Sequence, residues 1–152
     1  MKFSHLDKYG EVCMVGVSAK SKQRRVAKAF GYIKLKKETT SLIEENKIAK
    51  GNVFSTAKIA AIYAAKKCPN LIPLCHNIFI DSIEVELKLK KEKVECRTEV
   101  VARDCTGVEM EALVAVNIAL LTIYDMCKAV DKKMKICDIH LLEKRKEDLD
   151  RT

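Results

Sequence analysis

Residues 82–102 read SIEVELKLKKEKVECRTEVVA. From Ser82 to Lys90 the apolar Ile83, Val85, Leu87 and Leu89 alternate with Glu84, Glu86 and Lys88. After a charged turn Val94, Cys96, Thr98, Val100 and Ala102 repeat the pattern. A period of two places the apolar set on one face of a strand and the charges on the other, so these residues are expected to form a β-hairpin with one wet face. A hairpin alone is marginal in water, and its apolar face needs a covering layer.

The sequence on either side supplies that layer. Downstream, Val108 to Val130 is expected to form the longest helix, because Leu113, Val116, Leu120, Ile123, Cys127 and Val130 recur at steps of three and four. A second stripe, Glu111, Ile118, Thr122, Asp125 and Ala129, lies opposite; it is too apolar for open solvent and is expected to pack on another subunit. A last strand, Ile136 to Leu142, precedes a charged tail from Glu143 to Thr152. Upstream, Val12 to Val17 reads as a short strand and Val26 to Leu35 as a second with weaker alternation. Thr39 to Asn46 reads as a short helix capped by Thr39 or Thr40, and Asn52 as the cap of a helix from Val53 to Lys67 that stops before Pro69. Pro69 and Pro73 are expected to hold Cys68 to His76 extended. No repeat or Pro/Gly/Ser linker divides residues 1–152, which read as one domain. The layout is α+β: a ferredoxin-like antiparallel sheet with helices packed on one face.

Composition narrows the functional classes. Hydrophobic residues make up 48% and charged residues 33%, a globular balance. No continuous apolar run approaches the roughly 20 residues of a bilayer span, and Met1 to His5 lead into charged residues, so a cytoplasmic protein is expected. The seven cysteines are odd in number and lack C-x-x-C spacing, which argues against a disulfide framework and a zinc ribbon. Cys96 and Cys127 read as small core residues in a reducing compartment. The net charge of +8 favours an anionic partner, although lysines scattered as in Lys34/Lys36/Lys37 and Lys90/Lys91/Lys93 ordinarily mark a solvated surface. An RNA-binding sheet needs aromatics for base stacking; aromatics are 5% here and Glu84, Glu86, Glu95 and Glu99 line the hairpin's wet face.

Three places carry polar groups that packing alone does not explain. His76 follows Leu-Ile-Pro-Leu-Cys in the proline-stiffened loop and is suited to proton exchange near neutral pH; the plainer reading is a His that hydrogen-bonds a loop carbonyl. Asp125 and Lys128 are three apart on the long helix and can touch, as ordinary surface ion pairs do. Lys50-Gly51-Asn52 opens a helix, where a lysine and free backbone N–H groups suit a phosphate, although the Walker pattern is absent. Glu109 falls on the core-facing side and needs a partner there, or else begins the helix.

These residues lie in segments with a family resemblance. Met14-Val15 with Val17-Ser18-Ala19-Lys20, Lys50-Gly51-Asn52-Val53, Leu71-Ile72-Pro73-Leu74-Cys75-His76, Thr106-Gly107-Val108-Glu109-Met110-Glu111-Ala112-Leu113, and the run from Leu121 to Val130 (LTIYDMCKAV) resemble, in order, the molybdenum-cofactor biosynthesis protein C family (MoaC). The resemblance implies a lyase that converts (8S)-3′,8-cyclo-7,8-dihydroguanosine 5′-triphosphate, a cyclised GTP derivative, into cyclic pyranopterin monophosphate and pyrophosphate. It implies Asp125 as the acid–base residue with Lys50 and Lys128 as catalytic partners. Leu74, Cys75, His76, Met110 and Glu111 would line the substrate, with Glu109 assisting and Arg25 holding phosphate. No metal site and no required cofactor are implied, with Mg²⁺ left open as a companion of the triphosphate or pyrophosphate. The implied assembly is a homohexamer, a trimer of dimers with sites at subunit interfaces, and neither nucleic acid nor membrane is an implied partner. The chain departs from the family pattern at Gly16 and Asn52, each in place of Asp. It also lacks the lysine- and glycine-rich end after the last strand, having Arg145-Lys146-Glu147-Asp148 instead. Either phosphate binding weakens with that loss, or Arg145 and Lys146 take it over.

Overall fold

The computed structural model describes residues 8–149. In chain order the elements are β1 (Gln23–Lys34), α1 (Lys37–Glu44), α2 (Val53–Lys66), α3 (Cys68–Leu71), β2 (Ile80–Lys90), β3 (Lys93–Asp104), α4 (Glu109–Cys127) and β4 (Lys135–Asp148). The four strands form one sheet in the order β2-β3-β1-β4, with every neighbouring pair antiparallel. The expected α+β class is therefore what the chain adopts. The β2–β3 hairpin has the expected face: Ile83, Val85, Leu87 and Leu89 pack into the core with Val94, Cys96, Val100 and Ala102.

The strand with the weaker alternation, β1, is the centre of the sheet. Its core-facing residues are mostly small, Ala27, Ala29 and Gly31 before Ile33. The opposite face holds Lys28, Phe30 and Tyr32, and large aromatics there blur the hydrophobic alternation. The small residues let α4 lie close to the sheet. A Cβ on Gly31 would come within 2.8 Å of Ile139 and 2.9 Å of Val116, so α4 and β4 meet over a glycine that cannot be enlarged without moving them. The same contact fixes where each end of α4 emerges.

α4 is 19 residues long and apolar enough, by length and composition, to cross a membrane, which the absence of a long uninterrupted apolar run did not suggest. It is instead a core helix, lying on β1 and β3 and against α2. This packing on two sides rotates the expected stripes. Leu120, Ile123 and Cys127 are buried as the spacing required, but Val130 lies past the helix end and is 51% exposed. In the second stripe Glu111 is buried, Ile118 and Thr122 are half-buried, and Asp125 and Ala129 are exposed. α2 shields that flank, so the face turned outward is Met110, Asn117, Leu121, Asp125 and Lys128.

Four local expectations are corrected. Val12 to Val17 forms no strand; Val12 makes an isolated bridge and the rest runs without a ladder. Thr39 and Thr40 do not cap α1, which starts at Lys37. Thr39 donates instead to the buried Asp131, and Thr40 to the carbonyls of Lys37 and Lys91. Cys68 to Leu71 is a helical turn and not an extended stretch, because Pro69 sits in its first turn, where a missing N–H costs nothing. β4 runs to Asp148, well past Leu142. Its charged end stays in the sheet because Arg24 and Gln23 of β1 pair with Glu147 and Asp148. Asn52 caps α2 as expected, its Oδ1 accepting from the Ser55 N–H at 2.8 Å.

Candidate active site

The implied site residues separate into two groups, one at each end of α4. At the C-terminal end, Gly51 adopts φ +97, a left-handed conformation that glycine takes without strain, and the turn carries Lys50 against the helix. Lys50 Nζ donates to Asp125 Oδ2 at 2.6 Å and to the Asp125 carbonyl at 3.0 Å. Lys128 Nζ lies 2.7 Å from Asp125 Oδ1. Lys128, then Lys50, holds the Asp125 carboxyl well below the usual carboxylate range, at about 2. Asp125 reciprocally raises Lys128. All three side chains are about half exposed. The cluster thus presents a fixed anion flanked by two ammonium groups, open to an incoming phosphate or to a partner surface.

At the other end, α4 begins at Glu109 after the turn Thr106-Gly107. A Cβ on Gly107 would collide with the Glu109 carboxylate, which folds back over it. Glu109 therefore starts the helix, the second of the alternatives left by its spacing, and lies 3.5 Å from Lys144 of β4. Around this turn is a cavity of about 500 Å³. Leu74, Cys75 and His76 form one wall, Glu109, Met110 and Glu111 the other, and Lys20 and Lys144 reach its rim. His76 makes no hydrogen bond to a loop carbonyl among the described residues; it faces the cavity.

Glu111 is the unusual group. It is 2% exposed and its Oε2 has no hydrogen-bond partner. Burial pushes its carboxyl above the usual range, and the nearby Glu109 adds to this. Burial also raises the thiols of Cys68 and Cys75, which pack beside it. Burial of this kind makes the charge harder to hold than on an exposed carboxylate.

Arg25 lies in an adjoining groove of about 320 Å³ that shares Gly107, Glu109 and Lys144 with the larger cavity. Its guanidinium donates to the carbonyls of Asp104 and Cys105, which fixes the side chain at the end of β3. Arg145 and Lys146 also line this groove. The charged end of β4 thus carries cations to the Arg25 groove. Lys20 and Lys144 are cations that residue-by-residue reasoning did not single out. Lys144 was hidden because the strand was expected to end two residues before it, and Lys20 because it lies past the strand expected over Val12 to Val17.

Among the described residues, no group of His, Cys, Asp and Glu is arranged to hold a metal ion. The seven cysteines are all unpaired, with Cys96 and Cys127 in the core as expected. The buried Asp131 was not anticipated. Burial opposes its charge, but the backbone N–H groups of Lys36 and Lys133 and the Thr39 hydroxyl hold its carboxyl below the usual range. It ties α1 to the segment just after α4.

Glu111 and Asp125 stand about 21 Å apart along the axis at ~1.5 Å per residue. The cavity and the Lys50–Asp125–Lys128 cluster share no lining residue.

Comparison with known proteins gives a consistent picture. A family model described as the MoaC family matches residues 14–147. The chain is 47% identical over 144 residues to the cyclic pyranopterin monophosphate synthase of Peptoclostridium acidaminophilum, covering 95% of this chain and 92% of that protein. It is 47% identical over 145 residues to the protein of the same name from Clostridium perfringens (strain 13 / Type A), covering 94% and 92%. It is also 49% identical over 141 residues to the molybdenum cofactor biosynthesis bifunctional protein of Chlorobaculum tepidum, covering 93% of this chain and 45% of that one.

Proposed function

The chain belongs to the MoaC family, and on that premise we propose that it is a cyclic pyranopterin monophosphate synthase. It is a lyase of molybdenum cofactor biosynthesis that acts on the cyclised GTP derivative in the cytoplasm and releases pyrophosphate. The observation that carries the reading is the division of the site between the two ends of α4. One end offers a carboxylate between two ammonium groups, and the other a cavity with His76 and a buried carboxyl whose affinity for a proton is raised.

The reaction opens and recloses rings without a net redox step, so it calls for proton donors and acceptors together with a grip on phosphate. Arg25, Lys20, Lys144 and Lys146 provide that grip beside the cavity, Arg25 with a planar guanidinium that matches phosphate oxygens. An acceptor near 2 is weak at neutral pH. Asp125 therefore serves as the base only once a substrate phosphate or a partner surface draws Lys50 and Lys128 away, which raises its affinity for a proton.

Neither cluster holds both halves of this chemistry. The functional site is composite, with the Asp125 end of one subunit completing the Glu111 end of another. The outward face of α4 between them, with Leu121 53% exposed and Ile59 and Tyr63 of α2 exposed beside it, is the surface across which two chains meet. Such dimers are the units of the proposed hexamer.

The test is direct. Purified protein incubated with the cyclised GTP derivative should yield the pyranopterin, detected as its oxidised fluorescent derivative, with one pyrophosphate per turnover and no added nicotinamide, flavin or metal cluster. Repeating the assay with and without a chelator determines whether Mg²⁺ accompanies the phosphates. Tight RNA binding with no turnover would contradict the proposal.

A further inference from the structure

The seven unpaired cysteines are not alike. Cys96 and Cys127 are enclosed among apolar neighbours in the main core. Cys105 and Cys137 direct their thiols to the backbone carbonyls of Lys20 and Lys135. Cys68 and Cys75 differ from these in lying against each other. Both belong to a small apolar cluster with Ala64 and Val114, set apart from the main core. Each thiol is among the groups that shift the other's proton.

The backbone between them brings this about. Cys68 opens α3, and the Ile72 N–H donates to the Cys68 carbonyl at 2.9 Å. The Cys75 N–H then donates to the Ile72 carbonyl at 3.1 Å. Two successive turns thus fold the segment back on itself, where seven extended steps would span roughly 23–25 Å. The two thiols meet different surroundings. Cys68 is 0% exposed and is not part of the cavity wall. Cys75 is half-buried and lies in that wall between Leu74 and His76. Glu111 lies beside both, and its Oε2 has no hydrogen-bond partner. One thiol is therefore open to small solutes, the second waits behind it, and a carboxylate able to take a proton adjoins the second. An attacking and a resolving cysteine need this arrangement.

We propose that Cys68 and Cys75 are a reversible dithiol–disulfide pair, closed by a peroxide, and that the closed form disables the cavity wall. The Cys75 sulfur attacks a peroxide oxygen, the O–O bond breaks, and Cys75 becomes a sulfenic acid with release of one water. The Cys68 sulfur then attacks the Cys75 sulfur while its proton passes to Glu111. The S–S bond forms, the S–O bond breaks, and the leaving hydroxide collects that proton as a second water. Two thiols are oxidised and one peroxide is reduced. Burial raises both thiols and slows their reaction, so the pair stays reduced until peroxide accumulates. A dithiol opens the bond again by exchange. Closure draws Cys75 from the wall towards Cys68, and its neighbours Leu74 and His76 move with it. The pairing rests on the two thiols alone; its effect on turnover rests on the synthase reading above.

Reduced wild-type protein is treated with increasing hydrogen peroxide, alkylated and mapped by peptide mass spectrometry without reductant, with turnover of the cyclised GTP derivative assayed in parallel. The proposal expects one dominant disulfide, Cys68–Cys75, with loss of turnover in proportion to it. Dithiothreitol should reverse both. Cys68→Ser keeps the side chain's size and a donor beside Glu111, so its reduced form should turn over like the wild type. Under peroxide it should stop at the Cys75 sulfenic acid, trapped by dimedone, and form no disulfide. If that variant fails to fold by circular dichroism, the wild-type map alone decides the pairing. Disulfides among other cysteines, or none while Cys75 is oxidised further, overturn the proposal. A closed Cys68–Cys75 bond with full turnover contradicts the switch. Reduced wild type without turnover contradicts the synthase reading instead, and the disulfide map still judges the pair.

Discussion

The two ends of α4 hold carboxylates in opposite surroundings. Asp125 is exposed, ionised and held near 2 by two lysines. Glu111 is buried, lacks a partner for Oε2 and is pushed upward by burial. Both lie on a single rigid helix, so neither can approach the other within one chain. Environment, and not residue type, separates them: one carboxylate organises cations, and the other takes up a proton more readily than an exposed carboxylate. A helix seated over Gly31 holds them at fixed separation. The lesson is that a site can be chemically complete in a sequence and still incomplete in one folded chain.

The sharpest way to break this contrast is Asp125→Asn. The side chain is exposed, so the fold and the thermal transition should persist. Product formation should fall by about 10²–10⁴-fold, the usual worth of general acid–base catalysis. Retention of more than about a tenth of wild-type turnover would leave Asp125 without that role.

A smaller effect comes from the spacer. Gly31→Ala drives a Cβ against packed Ile139 and Val116, and should destabilise the chain by about 1–3 kcal/mol in urea unfolding, as overpacking does. No change would mean that α4 is not seated as tightly as this contact requires.

The smallest effect concerns Glu111. Its folded carboxyl is raised above the ordinary value, so the wild type loses stability as pH rises from the usual Glu range through the raised value. Glu111→Gln cannot titrate and should gain on the wild type between pH 4 and pH 7. A wild type that instead gains on the variant over that interval would show that the carboxylate, and not the acid, is the favoured form.

Much of this was legible in residues whose neighbours in sequence are also their neighbours in space. The hairpin and the cap by Asn52 depend on local alternation and a local hydrogen bond, and they formed as read. The failures lie where distant residues decide. Thr39 looked like a cap, but Asp131 captures its hydroxyl. The acidic and basic end of β4 looked like a tail, but Arg24 and Gln23 hold it in the sheet. The outward stripe of α4 was misplaced because periodicity finds one buried face and cannot anticipate α2 covering a second. For the site, the residues were readable as motifs. Their division between the helix ends followed from helical rise alone, while the burial of Glu111 required the packed structure.

Subunit exchange tests the composite site most directly. Asp125→Asn and His76→Ala proteins, each inactive alone, are mixed, allowed to exchange chains and assayed. If each site draws its Asp125 end and its His76 end from different chains, every mixed dimer carries one intact site. Random one-to-one exchange should then restore about a quarter of wild-type turnover. No recovery, with mixed oligomers verified by mass spectrometry, would mean that each site belongs to a single chain and would contradict the account.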